Sequence, residues 1–476
     1  MSDRSIWNIL WSCFATIVAC TWISVHPNVP GASDSQWKVF GRRMAIMMYL
    51  LIAPEMVILW AARQHFAAVR IAQRFRDKGW TTIHGFFLIM GGFELYDGRT
   101  FLRALEVSEF AKLHEEGRIE WPSITAAQIE DRSKADFLSK GIVIVQTTWF
   151  IVQMIGRGAN RLAVTELEVV TLAFAALNGV TYWLWWDKPM DVRCPVPVHL
   201  KGVGTEEVLP AQEKSSTSST TYPPAEICSV NIIEPADEGG DERILDPVVL
   251  SNPPSRSSSP SLPKRSRLER LQLYMSQQRI KRGEFRGFVH VLLYQPLAIF
   301  FRPFEDMLSL DTLRGDRSRV PTFYAPKAEK DSDSAAVIFL TIAVVIVFGA
   351  IHCVAWSSSF PTVTEKWLWR VNSVAICTLP LLMSLIGAFA SEKDADDMTF
   401  WEKVRDLSIT IPLMFFAGVY IVSRVSLLVQ PLAALRALPS SAYEDLDWTN
   451  FLPHTIYRAD SQNAQGLHFT TVKLLF

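Results

Sequence analysis

The sequence predicts an all-α polytopic integral membrane protein with about seven transmembrane helices, a small α-rich insert and a long disordered loop. Three observations lead there. Seven stretches approach the roughly 20 apolar residues that a bilayer-crossing helix needs. The 476 residues are 49% hydrophobic with a mean hydropathy of +0.16, too apolar for a soluble chain that also carries a Ser/Pro-rich stretch. There are 16 Trp, a residue that favours the membrane–water interface because one end of its ring system stays wet and the other dry. Lys and Arg total 47 against 48 Asp and Glu, a net charge of -1. No bulk basic field therefore points to nucleic acid.

The first two apolar runs, Ile6–Val25 and Met44–Trp60, lie in residues 1–60. The first is too long for a signal peptide, and Ser24-Val25-His26-Pro27 after it lacks a small-x-small cleavage pattern. Residues 61–140 read as a cytosolic-type insert. They mix the Gly-rich apolar run HGFFLIMGGFEL with a charged region of helical composition, where Thr125 and Gln128 fit a capping box. Residues 141–192 hold the third and fourth runs, Gly141–Ile155 and Val169–Trp186. The third is short and contains Gln146 and Gln153, so it needs shielding by neighbours or extension at its ends.

Residues 193–263 contain SSTSSTT, PPAE, DEGGDE and NPPSRSSSPSLP. Such a stretch cannot bury enough apolar surface to offset chain entropy and is expected to be disordered. Residues 264–334 begin with a basic run, Lys264–Arg286, in which Leu268, Leu271 and Met275 share one helical face. It reads either as an amphipathic helix on an anionic membrane surface or as a solvated loop helix. Gly287–Pro303 is apolar but broken by Pro296, which suits interfacial or re-entrant packing. Residues 335–430 hold the last three runs, Ala335–Trp356, Val371–Ala390 and Ile409–Val429, and 431–476 form a C-terminal tail. The basic cluster Arg63, Arg70, Arg74, Arg76 and Lys78 argues for a cytosolic N-terminus; Lys38, Arg42 and Arg43 argue against it.

Few residues suggest chemistry. Glu55 follows Pro54 inside the second run. An ionisable group at that depth marks either a functional polar cavity or a packing contact with a partner, and Pro54 frees a carbonyl. Arg424 in the seventh run either pairs with Glu55 or snorkels to the interface. His84, in the Gly-rich segment with Gly91, Gly92 and Glu94, is a structural hydrogen-bonded residue or a cavity group. Asp187 and Asp191 after the fourth run have DxxxD spacing, with Asp394, Asp396 and Asp397 as a second acidic group. Two such sites could hold Mg²⁺ and a diphosphate; the bland reading is a set of interfacial acids. The six Cys are scattered without CxxC spacing, so no zinc site, disulfide framework or other metal centre is indicated. GxSxG, Walker A, HExxH and GxGxxG after a strand are all absent, and no cofactor is implied.

Several segments together resemble a large family of multi-pass membrane proteins from filamentous and mushroom-forming fungi. They are ACTWISVHPNVP (19–30), APE (53–55), AARQ (61–64), HGFFLIMGGF (84–93), IEDRSKADFLSKG (129–141), QTTWFIVQMIGR (146–157), TELEVVTLAF (165–174) and WWDKPMDV (185–192). The family has no established biochemical activity, so the resemblance implies architecture and no catalytic residue. Two functional classes stay open. One is a non-catalytic membrane protein of transporter-like, sensor or scaffold type with Glu55 in a polar cavity. The other is a membrane-bound enzyme acting on a lipid or isoprenoid in fungal specialised metabolism. The expected partner is the lipid bilayer, of the plasma membrane or an endomembrane.

Overall fold

A computed structural model describes residues 4–31, 34–133, 136–201, 302–304, 307, 319–327, 331–388 and 399–446. The expected disordered loop beyond residue 201, the basic run Lys264–Arg286 and the acids Asp394, Asp396 and Asp397 lie outside the described residues. Contacts divide the chain into two units, Met1–Gly202 with Asp306–Phe476, and Val203–Glu305. The elements below all belong to the first.

The chain is mostly helical. Helix α1 (Ile6–Val18) starts where the Ser5 side chain accepts from the Asn8 N–H, and runs on into a π-helical turn, Ala19–Ile23. There Thr16, Thr21 and Ser24 each donate to the carbonyl four residues back, a side-chain habit that loosens helical winding. Helix α2 (Gln36–Ile52) and helix α3 (Pro54–Arg74) follow. Helix α4 (Thr82–Ile89), strands β1 (Phe93–Asp97) and β2 (Thr100–Ala104), helix α5 (Val107–Glu115) and helix α6 (Ala126–Asp131) build the insert. Helices α7 (Asp136–Ala159) and α8 (Glu166–Leu184) come next, then strand β3 (Val196–His199). Helices α9 (Asp331–Cys353), α10 (Val363–Gly387) and α11 (Phe400–Ala434) complete the bundle.

Among the described residues six helices are long and apolar enough to cross a membrane, or seven spans if α2 and α3 count as one. Helix α8 is the hub, packed against α1, α3, α7, α9 and α11. Its apolar window is 72% buried, whereas no other candidate span exceeds 33%. The others turn apolar side chains outward, among them Trp7, Trp149, Phe339, Trp367 and Phe415, each at least half exposed. An apolar exterior of that extent is costly against water and neutral against lipid. A buried capping box holds the start of α8: Glu168 accepts from the Thr165 N–H and hydroxyl, each at 2.9 Å, and pairs with Arg4. The short third run is both extended and shielded, since α7 spans 24 residues and Gln146 donates to Thr16 Oγ1 at 3.0 Å.

One expectation needs correction. The second apolar run is not one helix: α2 and α3 meet at 115° across Ala53. Pro54 is the first residue of a new helix, where its missing N–H costs nothing and its fixed φ suits entry. The α-rich insert includes strands as well, one of them formed with a segment after α8. It carries a three-stranded sheet of order β2-β1-β3, with β2 antiparallel and β3 parallel to β1. The β1–β2 turn is Gly98-Arg99, with Gly98 at φ +57 in its first position, a hairpin signal in the sequence. Strand β3 falls in the stretch expected to be disordered from residue 193. Its Pro197 is tolerated because β3 is an edge strand.

Candidate functional site

Helix α3 carries two buried polar clusters along its length. The first sits at the break. Ala53 leaves helical geometry (φ -141, ψ 68), so the last carbonyls of α2 lose their intrahelical partners. Arg424 of α11 supplies replacements, donating through Nε to Ile52 O at 2.8 Å and through Nη2 to Leu51 O at 3.0 Å. Its guanidinium lies 4.2 Å from the Phe348 ring centre and 5.8 Å from that of Phe174. One turn earlier on α11, Tyr420 donates its hydroxyl to Glu55 Oε1 at 2.7 Å. Arg424 is 2% exposed and Glu55 7%. Arg424 therefore does not snorkel; it is drawn inward by carbonyls that only a broken helix presents. It shares a locality with Glu55, but no direct ion pair joins them.

The second cluster lies two turns further along α3. Lys188, fully buried just beyond α8, donates to Gln64 Oε1 at 2.9 Å and to Asn28 Oδ1 at 3.3 Å. Its amine stands 4.8 Å from the Trp60 ring centre and 4.7 Å from that of Trp185, within cation–π range of both. Trp185 Nε1 donates to Gln64 Oε1 at 3.2 Å. Gln64 Nε2 and Trp60 Nε1 both donate to Tyr324 O, at 2.8 and 2.9 Å, and Asn28 Nδ2 donates to Pro321 O at 2.9 Å. Among the described residues the Lys188 amine meets no carboxylate. Burial without a counter-charge holds it well below the ordinary lysine range.

Other residues singled out in the sequence stand apart. His84 is a helix cap: the Thr81 N–H donates to its Nδ1 at 3.1 Å, and its Nε2 donates to Ile124 O at 3.1 Å. That pairing requires the neutral Nε2–H form, and burial lowers its tendency to protonate. Gly85 beside it lets α4 lie directly on α3, since a Cβ there would fall 2.3 Å from Ala68 O. Asp191, at φ 54, accepts two hydrogen bonds from Arg43 Nη1 at 2.9 and 2.8 Å, and Arg43 also donates to Trp22 O. Asp187 is half-buried at the end of α8. Among the described residues no group of three or more His, Cys, Asp or Glu side chains is placed to hold a metal ion.

Sequence reasoning weighed the two acids of the DKPMD stretch and passed over the lysine between them. It also missed Tyr420, Gln64 and Asn28. A signal was present: HPNVP, AARQ and WWDKPMDV are three of the segments that carry the family resemblance, and each gives the second cluster a polar side chain. Nothing in one sequence says that they meet, because 36 and 124 residues separate Gln64 from Asn28 and Lys188.

A family model described as a family of unknown function (DUF8562) matches residues 2–247 and 330–455. The chain belongs to that family. Comparison with curated proteins and with solved structures finds no match.

Proposed function

We propose that this family member is a multi-pass integral membrane protein without catalytic chemistry of its own, transporter-like, sensor or scaffold in role. Its working part is the break between α2 and α3. One observation carries this reading. A single helix, α11, clasps both sides of the break from positions one turn apart, Tyr420 on Glu55 and Arg424 on the last carbonyls of α2. Broken helices at membrane depth are where transporters place their binding and gating elements, and an ionisable residue there carries function by default. A shift of α11 by one turn would break both clasps together, because Tyr420 and Arg424 sit one turn apart on it. The membrane is the plasma membrane or an endomembrane.

The alternative, an enzyme acting on a lipid or isoprenoid diphosphate, draws less from the geometry. It needs Asp187 and Asp191 open toward a metal, and Arg43 occupies both oxygens of Asp191. The experiment is rescue of a deletion strain with a measurable phenotype. Glu55→Gln and Tyr420→Phe are expected to fail at normal protein level, while the double change Asp187→Asn, Asp191→Asn restores function. The opposite pattern overturns the proposal in favour of diphosphate chemistry.

A further inference from the structure

A cavity of about 280 Å³ opens between α3 and the start of α9. Its lining combines charge with apolar surface. The charged residues are Arg63, Arg70 and Lys327 with a single carboxylate, Asp333. Arg70 binds both oxygens of Asp333, Nε to Oδ2 at 2.7 Å and Nη2 to Oδ1 at 2.6 Å, so that carboxylate is already neutralised. Arg63 is held by its partners, donating to Ala325 O at 3.3 Å and to Met307 O. Apart from Ser334 the remaining lining is apolar and includes Leu59, Phe66 and Ile71 from α3 and Val337 and Ile338 from α9.

The placement along α9 relates the cavity to the membrane. Asp333 is in the first turn of the most apolar candidate span, Ser332–Ser357. Ile338, Phe339, Ile342 and Ile346, one to three turns further in, are exposed on the outside of the bundle. Asp333 and its partner Arg70 therefore lie where that helix would leave the membrane, and Ile338 belongs both to the cavity lining and to the lipid-facing side of the helix. Among the described lining residues three cations face one carboxylate. Such a lining suits a ligand with a negative head and an apolar chain.

We infer that this cavity is a binding site for one anionic phospholipid of the surrounding bilayer, its phosphate at Arg63, Arg70 and Lys327 and an acyl chain along Phe66, Val337 and Ile338. The guanidiniums offer fixed donor forks that match phosphate geometry, and a phosphate at the end of a span pays little desolvation beyond that of its own headgroup layer. The inference rests on the membrane reading above.

The full chain is purified in detergent and reconstituted in nanodiscs. One set holds phosphatidylcholine alone; the other also holds phosphatidylglycerol. A trace of phosphatidylglycerol with a photoreactive acyl chain is crosslinked and the adducts mapped. Adducts are expected at 59–71 and 333–342. The double change Arg63→Gln, Lys327→Gln is expected to reduce them about tenfold, the loss of roughly one charge-assisted hydrogen bond, and Arg63→Lys, Lys327→Arg to restore most of the labelling. A photoreactive phosphatidylcholine that labels the same peptides equally overturns the inference, as does competition by inorganic phosphate, which would make the site one for a soluble anion. So does labelling that maps to 264–286 instead. If the wild-type chain stays in the supernatant after detergent-free ultracentrifugation, the membrane reading itself fails; if it pellets with membrane and labelling ignores the headgroup, only the lipid site fails.

Discussion

The two polar clusters on α3 bury a cation by opposite means. At the break, Arg424 is held by two backbone carbonyls and lies near the Glu55 carboxyl, which Tyr420 holds. Further along, Lys188 is held by two side-chain amides and two indole faces, with no carboxylate among the described residues. The difference teaches what each is fitted for. Carbonyls freed by a helix break need a donor as much as the arginine needs acceptors, so neither can leave alone. Gln64 and Asn28 accept from Lys188 while their own N–H groups hold Tyr324 O and Pro321 O. That arrangement ties three distant segments into one packed junction. The guanidinium, with its five donors and permanent charge, suits the first; an amine that can shed its proton suits the second.

The largest effect separating them is expected from Arg424→Met. It leaves the Leu51 and Ile52 carbonyls without donors in a buried setting and should cost about 4 kcal/mol, read as a lowered thermal midpoint of the detergent-purified chain. Lys188→Met should cost about 1 kcal/mol, since the apolar replacement keeps most of the shape between the indoles and removes a poorly compensated charge. If both cost the same, the contrast is wrong.

A pH series sharpens it. Because the folded-state pKa of Lys188 is depressed, the folded chain binds fewer protons than the unfolded one in the interval below the unfolded value. Its contribution to stability is full above about pH 10.4, the unfolded value, and is lost as pH falls toward the folded one. Wild type should therefore gain stability relative to Lys188→Met as pH rises toward about 10.4. Coincident slopes would show that the amine stays charged in the fold. The smallest effect is expected from Asp191→Asn. Asp191 and Arg43 form a partly exposed pair, worth about 0.5 kcal/mol after screening, and the thermal midpoint should barely move.

The sequence was most legible where the signal is local. Long apolar runs, the capping residues Thr125 and Gln128, and the need to shield Gln146 follow from spacing and composition. The Gly98-Arg99 turn of the hairpin was also local and was overlooked in a stretch whose charges resembled helix. The break at Ala53 was half legible. Pro54 announced a disturbance, but whether a proline kinks a helix or opens a new one depends on what satisfies the preceding carbonyls. Here that is Arg424, some 370 residues away.

By itself, then, the amino-acid order determined which stretches are apolar enough to be helices in lipid and which ionisable residues fall inside them, since hydropathy and helix length need no partner. Only the tertiary structure decided that Arg424 turns inward, that Asp191 is taken by Arg43, and that Asn28, Gln64 and Lys188 share one buried space. A buried polar group is tolerated only where its hydrogen-bonding partners converge, and convergence is a property of the folded chain rather than of any segment.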